Sequence, residues 1–148
     1  MVTKIAPPLP TFLELEGEWP VQGEWTYEDY LRLPDDGRRY EIIRGVLYVV
    51  NAPSYDHQYT VTKLNRLIGD YVERRQLGIA LVAPFEIHLP GIARPVLPDV
   101  FFITAQRQPS PGASFFTGAP DLIVEVLSPS TARLDRVVKF EAYEQAGV

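Results

Sequence analysis

A charged residue set inside an aliphatic run constrains this chain more than any other feature. Leu122-Ile123-Val124 and Val126-Leu127 are aliphatic and mostly β-branched, with Pro120 before them and Pro129 after. That is the pattern of a central strand covered on both faces. Glu125 interrupts it. A carboxylate taken out of water must find a partner, a proton or a cation, so Glu125 reads either as a paired structural acid or as part of a site. Upstream, Pro98-Asp99 heads a second strand, Val100 to Ile103. Neighbouring strands lie ~4.8 Å apart, so acids at facing positions can share one cation. Magnesium takes oxygen ligands at ~2.1 Å, commonly one or two carboxylates completed by water and phosphate.

After the Glu125 strand a Ser-Pro turn leads into a helix in which Asp135, Lys139 and Tyr143 recur every four residues. At ~100° per residue the three share one flank. A Pro-Asp, a strand glutamate and a nearby lysine are together the components of metal-assisted phosphodiester hydrolysis. Each also has an ordinary explanation. Pro-Asp pairs often start strands, Tyr143 can be simple packing, and Asp135 with Lys139 reads equally as a solvated pair worth about 0.3 kcal/mol. Pro120-Asp121 repeats the dipeptide. Asp121 lies four residues from Glu125 on the same strand, ~13 Å away, too far to share a small ion, and reads as structural.

The ordered set resembles a known family. Tyr40-Glu41-Ile42-Ile43-Arg44-Gly45, Pro98-Asp99, Glu125 to Thr131, Asp135, Lys139, Tyr143 and Gly147-Val148 are similar to a large restriction-endonuclease-like family abundant in cyanobacteria. It was long catalogued as a domain of unknown function and belongs to the PD-(D/E)XK nuclease superfamily. The resemblance runs from about Trp25 to the end. It implies an α/β (α+β) fold with a mixed sheet, whose core runs helix-strand-strand-strand-helix after an N-terminal helix and β-hairpin. It also implies DNA as substrate, a homodimer, and Mg2+ or Mn2+ held by Asp99, Glu125 and the carbonyl of Val126. Glu41 becomes a further acid of the site. Two residues after Glu125, where the superfamily has its lysine, this chain has Leu127; Lys139, one helix later, is the candidate replacement. The family continues with at least one more strand beyond Gly147-Val148. Residues 25–148 are therefore expected to form the nuclease-like domain without its final core strand, and residues 1–24 a proline-rich arm.

Taken in order, Thr26 can cap a short helix from Tyr27 to Leu33, and Arg44-Gly45 can turn a hairpin. Ser54 caps a longer helix that stops at Gly78, with Val61, Leu64, Ile68, Tyr71 and Val72 as its buried stripe. Ile79 to Leu89 reads as one strand bent at Pro84, and residues 105–119 as a long loop. On the residues alone, Glu41 is a half-exposed strand acid or a site acid. His57 is a surface or capping residue in preference to a catalytic one, and Glu86 a solvent-facing acid in preference to a third member of the site.

A net charge of −5 counts against a sequence-independent nucleic-acid binder, which usually carries a basic face. It does not exclude a nuclease, because a bound cation and local basic residues can receive phosphate. It keeps a rival in view, a catalytically inert nuclease-fold module that binds DNA or a protein partner. A carboxylate-pair glycosidase ranks lower, since it needs acids ~5–9.5 Å apart beside aromatic platforms, and none adjoins the pair in sequence. The absence of cysteine removes disulfide and thiolate chemistry, and two histidines are too few for a zinc site. No apolar run approaches the ~20 residues that span a bilayer. The N-terminus has no continuous apolar core of the signal-peptide kind, so the expected location is the cytoplasm.

Overall fold

Arg44 and Gly45 both adopt positive φ, 51° and 72°, which closes a two-residue turn whose twist suits antiparallel strands. The structure, a computed structural model, describes residues 6–8 and 18–148. Thr26 accepts from the backbone of Asp29 in a capping box that starts α1 (Tyr27–Tyr30), shorter than the sequence suggests. The Arg44-Gly45 turn then joins β1 (Arg39–Ile43) to β2 (Val46–Val50), in register from Arg39 opposite Val50 to Ile43 opposite Val46. Gly23 and Trp25 both donate their N–H to the Gly45 carbonyl, at 2.8 and 3.0 Å. A Cβ on Gly45 would meet the Gly23 carbonyl oxygen at 2.2 Å. Gly45→Ala is therefore expected to cost about 2 kcal/mol, a fall of roughly 6 °C in Tm by thermal melting. Gly37→Ala is the control: its φ is also positive, 78°, but nothing lies within 4 Å. The control should fall by less.

Ser54 caps α2 (Tyr55–Arg74) through the backbone N–H of His57. Val61 and Val72 of the expected stripe are buried, while Tyr71 is 54% exposed. The stretch read as one bent strand is two, β3 (Gly78–Val82) and β4 (Glu86–Leu89). They enter different sheets, because the chain turns over residues 83–85. β5 (Ala93–Val96) and β6 (Val100–Thr104) follow. Residues 105–119 are not an unstructured loop, since they contain a 3-10 turn (Ala105–Arg107) and β7 (Phe115–Thr117). Arg107 ties that segment to Asp121 and to the Ala119 carbonyl. β8 (Leu122–Val124) precedes a π-helical turn (Leu134–Lys139) that continues into α3 (Phe140–Ala146).

One sheet has the order β2-β1-β5-β4-β7 and the other β3-β6-β8. The β4–β7 pair is parallel and the rest are antiparallel, so the fold is the expected α/β type with a mixed sheet. β8 corrects one expectation. It is an edge strand, not a central one: among the described residues it pairs only with β6, it stops at Val124, and it leaves Leu122 42% exposed. The ladder ends because the next amide, Val126 N–H, goes to the Asp99 side chain at 2.8 Å instead of to a strand.

Both sheets and α3 contribute to the main core, which includes Ile43, Ile87, Phe101, Ile103, Ala142 and Tyr143. A second cluster, Trp25, Tyr40, Ile42 and Leu47, covers the other side of the hairpin. Successive strand residues point to opposite faces. Tyr40 and Ile42 therefore join the second cluster, and Glu41 turns with Ile43 the other way. Of the expected arm, residues 1–5 and 9–17 lie outside the described residues. The part from 18 to 24 is docked: Trp19 stacks on Trp25 at 5.5 Å, and the Gln22 amide exchanges hydrogen bonds with both backbone groups of Leu47.

Candidate functional site

Extending the β6–β8 register by one step beyond Val100 and Val124 places Asp99 opposite Glu125, as the sequence suggests. Both acids line a cleft of about 280 Å³ together with Glu41, His57, Asp135 and Lys139. Lys139 sits at its base, 4% exposed. Its Nζ lies 2.9 Å from Glu41 Oε1, 3.1 Å from Glu125 Oε1 and 3.8 Å from Asp135 Oδ1. Tyr143 donates its hydroxyl to the same Glu125 oxygen at 2.5 Å. Glu41 Oε1 also accepts the Leu97 N–H at 2.7 Å. Across the cleft, Asp99 Oδ2 accepts the Val126 N–H and lies 3.1 Å from His57 Nε2.

The Asp135-Lys139-Tyr143 flank read from the sequence thus does face the strand acids. Its first two members sit on a π-helical turn, a distortion frequent at functional sites. Asp135 and Lys139 are both buried, so they are not a solvated pair.

Charge in this cluster is strongly coupled. Burial works against the Lys139 ammonium, but Glu41 and Glu125, helped by Asp135, outweigh it and raise the lysine far above its ordinary value. The three carboxylates around it favour the charged ammonium. Burial pushes Glu125 up to about 7; Lys139 and the Tyr143 hydrogen bond oppose that rise, while Glu41 and Asp99 add to it. Burial, then Glu125, raises Tyr143 well above the usual tyrosine range.

Three readings from sequence are corrected here. Glu41 is not half-exposed but 1% exposed, because β1 is covered on both faces. His57 is neither a surface residue nor merely part of the helix cap: its side chain is 14% exposed and contacts Asp99. The signal was present, since His57 continues the Val61, Leu64, Ile68 stripe backwards by four residues. Glu86 does not face solvent and does not line the cleft. It accepts from Tyr27 at 2.9 Å, Tyr30 at 3.0 Å and His88 at 2.9 Å, pinning α1 to β4. Burial and this contact push Tyr27 up to about 12. Asp121 stays apart from the cleft, accepting from the Thr104 N–H at 2.8 Å and from Arg107 at 3.0 Å.

The donor chemistry of the cleft suits a hard divalent cation. Glu41 Oε2 is buried with no hydrogen-bond partner among the described residues, and so is His57 Nδ1. Four carboxylates line the cleft against two basic side chains, the buried Lys139 and the partly exposed Arg39, so acidic groups outnumber basic ones there. Among the described residues no three acids or histidines converge as a ready-made metal-holding group. A bound ion would therefore take two carboxylates here, with water and phosphate filling the remaining positions, the arrangement common for Mg2+.

The family model described as "Uma2: Putative restriction endonuclease" matches residues 27–148. The chain belongs to this family. Every acid of the cleft, and Lys139, falls inside the matched segment. A similar curated protein is uncharacterised protein slr1290 of Synechocystis sp., 29% identical over 117 residues. The match covers 78% of this chain and 60% of that protein, so the chain spans about three-fifths of its relative's length. A similar solved structure is described as a putative nuclease belonging to DUF820 from Anabaena variabilis. Its TM-score is 0.72 at 20% identity, covering 83% of this chain and 69% of that one. That likeness shows that this Uma2-family chain shares the fold of the Anabaena protein. Among the described residues no helix is long and apolar enough to cross a membrane.

Proposed function

We propose that this chain is a metal-dependent endonuclease that hydrolyses phosphodiester bonds in DNA at the Asp99–Glu125 cleft. One observation carries the reading: a buried Lys139 bridges Glu41 and Glu125 beside Asp99, in a chain of nuclease-like fold. Asp99 and Glu125, with the Val126 carbonyl, would hold Mg2+ or Mn2+, which when bound lowers the pKa of a coordinated water and screens phosphate charge. His57 orients Asp99 through Nε2, and Tyr143 orients Glu125. Lys139 stabilises the negative charge that develops on the phosphoryl oxygens as water adds. Glu41 keeps that ammonium in place. Water adds to phosphorus, the ester P–O bond breaks, and a phosphomonoester and a free hydroxyl remain, the water's protons passing to the leaving oxygen and to solvent.

The test is a cleavage assay on supercoiled, linear and single-stranded DNA. Cutting is expected with Mg2+ or Mn2+ and is abolished by EDTA. Cleavage that persists in EDTA would contradict the reading.

A second reading is favoured by one observation, the lack of three convergent metal-ligating side chains among the described residues. On that reading the cleft is an inert structural ion cluster, and the domain binds DNA or a protein partner without cutting. Full binding of DNA without cleavage under any divalent metal would support it.

A further inference from the structure

The outer face of α2 carries aromatic side chains that the core does not use. Tyr55 is 79% exposed and Tyr59 51% exposed. Their rings stack on each other at 5.9 Å with an interplanar angle of 22°. Lys63 Nζ lies 5.2 Å from the centre of the Tyr59 ring, and Arg66 is exposed one turn further on. At ~100° per residue, Tyr55, Tyr59, Lys63 and Arg66 fall within ~80° of one another, on the side away from the buried Val61. They form one strip, and it begins at the cleft: Ser54, the residue before Tyr55, lines the cleft, as does His57.

From this placement we infer that the strip is a stacking platform for unpaired nucleotides, so that the substrate carries a single-stranded segment beside the scissile phosphate. The inference rests on the nuclease reading for the role of the cleft and deepens it by naming the form of the DNA. Exposed tyrosine faces interleaved with cations are the combination that holds single strands, since every base offers a π-face and every phosphate a negative charge. In a duplex the base faces are stacked on one another and unavailable to tyrosine. The strip spans ~17 Å along the helix axis.

Charge on the rest of α2 limits the track to the cleft end. Beyond Arg66 the outer face turns acidic at Asp70 and Glu73, and Asp70 is engaged by Arg74 at 3.9 Å. A second copy of the chain fits this half-helix less well, because the centre of a protein interface is usually depleted of lysine, and here Lys63 sits in the middle of the strip.

The test is fluorescence anisotropy in EDTA, with a labelled mixed-sequence 20-nucleotide single strand and its duplex as probes. The proteins are the wild type, Tyr59→Phe and the doubly substituted Tyr55→Ala/Tyr59→Ala. Tighter binding of the single strand than of the duplex, by tenfold or more, is expected. The double variant should lose at least tenfold for the single strand, at about tenfold per stacked base, with little change for the duplex. Tyr59→Phe should keep wild-type binding, because stacking needs the ring and not the hydroxyl. Equal binding of strand and duplex, or unchanged single-strand binding in the double variant, would overturn the inference. So would a wild-type dimer that dissociates in the double variant by sedimentation, since the face would then belong to a second copy. Because EDTA removes cleavage from the readout, this inference can fail while the cleft still cuts. Conversely, strand binding lost in Tyr55→Ala/Tyr59→Ala and kept in Tyr59→Phe would stand even if no metal ever supports cleavage.

Discussion

Lys139→Met is expected to destabilise the fold by about 3–5 kcal/mol, the usual cost of removing one partner from a buried ion cluster. The change keeps the length of the side chain and deletes its charge. Glu41 and Glu125 would then be left buried and facing one another without the ammonium that bridges them at 2.9 and 3.1 Å. Such a loss is a large part of the ~5–15 kcal/mol that holds a domain of this size together, and urea midpoints followed by circular dichroism would register it. Adding Glu41→Gln to Lys139→Met should recover part of the loss, because the two residues are directly coupled. The penalty should also shrink in mild acid. Lys139 is the charge that opposes the upward push of burial on Glu125, so deleting it raises Glu125 further in the folded variant than in the wild type. The variant therefore gains more stability than the wild type as pH falls. A Lys139→Met protein as stable as the wild type at pH 8 would mean that the bridge contributes nothing.

Asp99→Ala is expected to abolish cleavage while leaving the fold nearly intact. Asp99 sits at the head of β6, where among the described residues its Oδ2 takes only the Val126 N–H and the His57 contact; it is not part of the Lys139 bridge. Its removal costs roughly one hydrogen bond, about 1 kcal/mol, far less than the loss at Lys139. Its effect on activity should be much larger, because a Mg2+ site with one or two carboxylates does not survive losing one of them. The informative comparison is between the two variants. Asp99→Ala should be folded and inactive, whereas Lys139→Met should be inactive and unstable. Metal-dependent cutting by a folded Asp99→Ala protein at the wild-type rate would remove Asp99 from the site.

Much of this site was legible in the sequence because it depends on short-range geometry. The four-residue spacing of Asp135, Lys139 and Tyr143 survives the π-helical turn, and the acids of β6 and the β8 end come to facing positions because antiparallel register carries Val100–Val124 one step further. What was not legible depends on tertiary cover. The alternation in β1 cannot reveal that both of its faces are buried; only the Trp25 cluster on one side and the cleft on the other make Glu41 an interior acid. An aliphatic run such as Leu122 to Leu127 reports low polarity, not rank within a sheet, and β8 proved to be an edge. Glu86 looked like a surface acid because the phenols that bind it, Tyr27 and Tyr30, lie more than fifty positions earlier.

The most direct test of the central claim is a calorimetric Mn2+ titration of the purified protein beside its Glu125→Ala variant, at pH 6 and pH 8. One ion per chain is expected to bind the wild type. Binding should be weaker at pH 6, where the ion must displace the proton that burial keeps on Glu125, and it should be lost in the variant. Absence of binding to a folded wild-type protein, or binding that Glu125→Ala leaves unchanged, would contradict a metal site at the strand acids and leave the cleft a structural ion cluster.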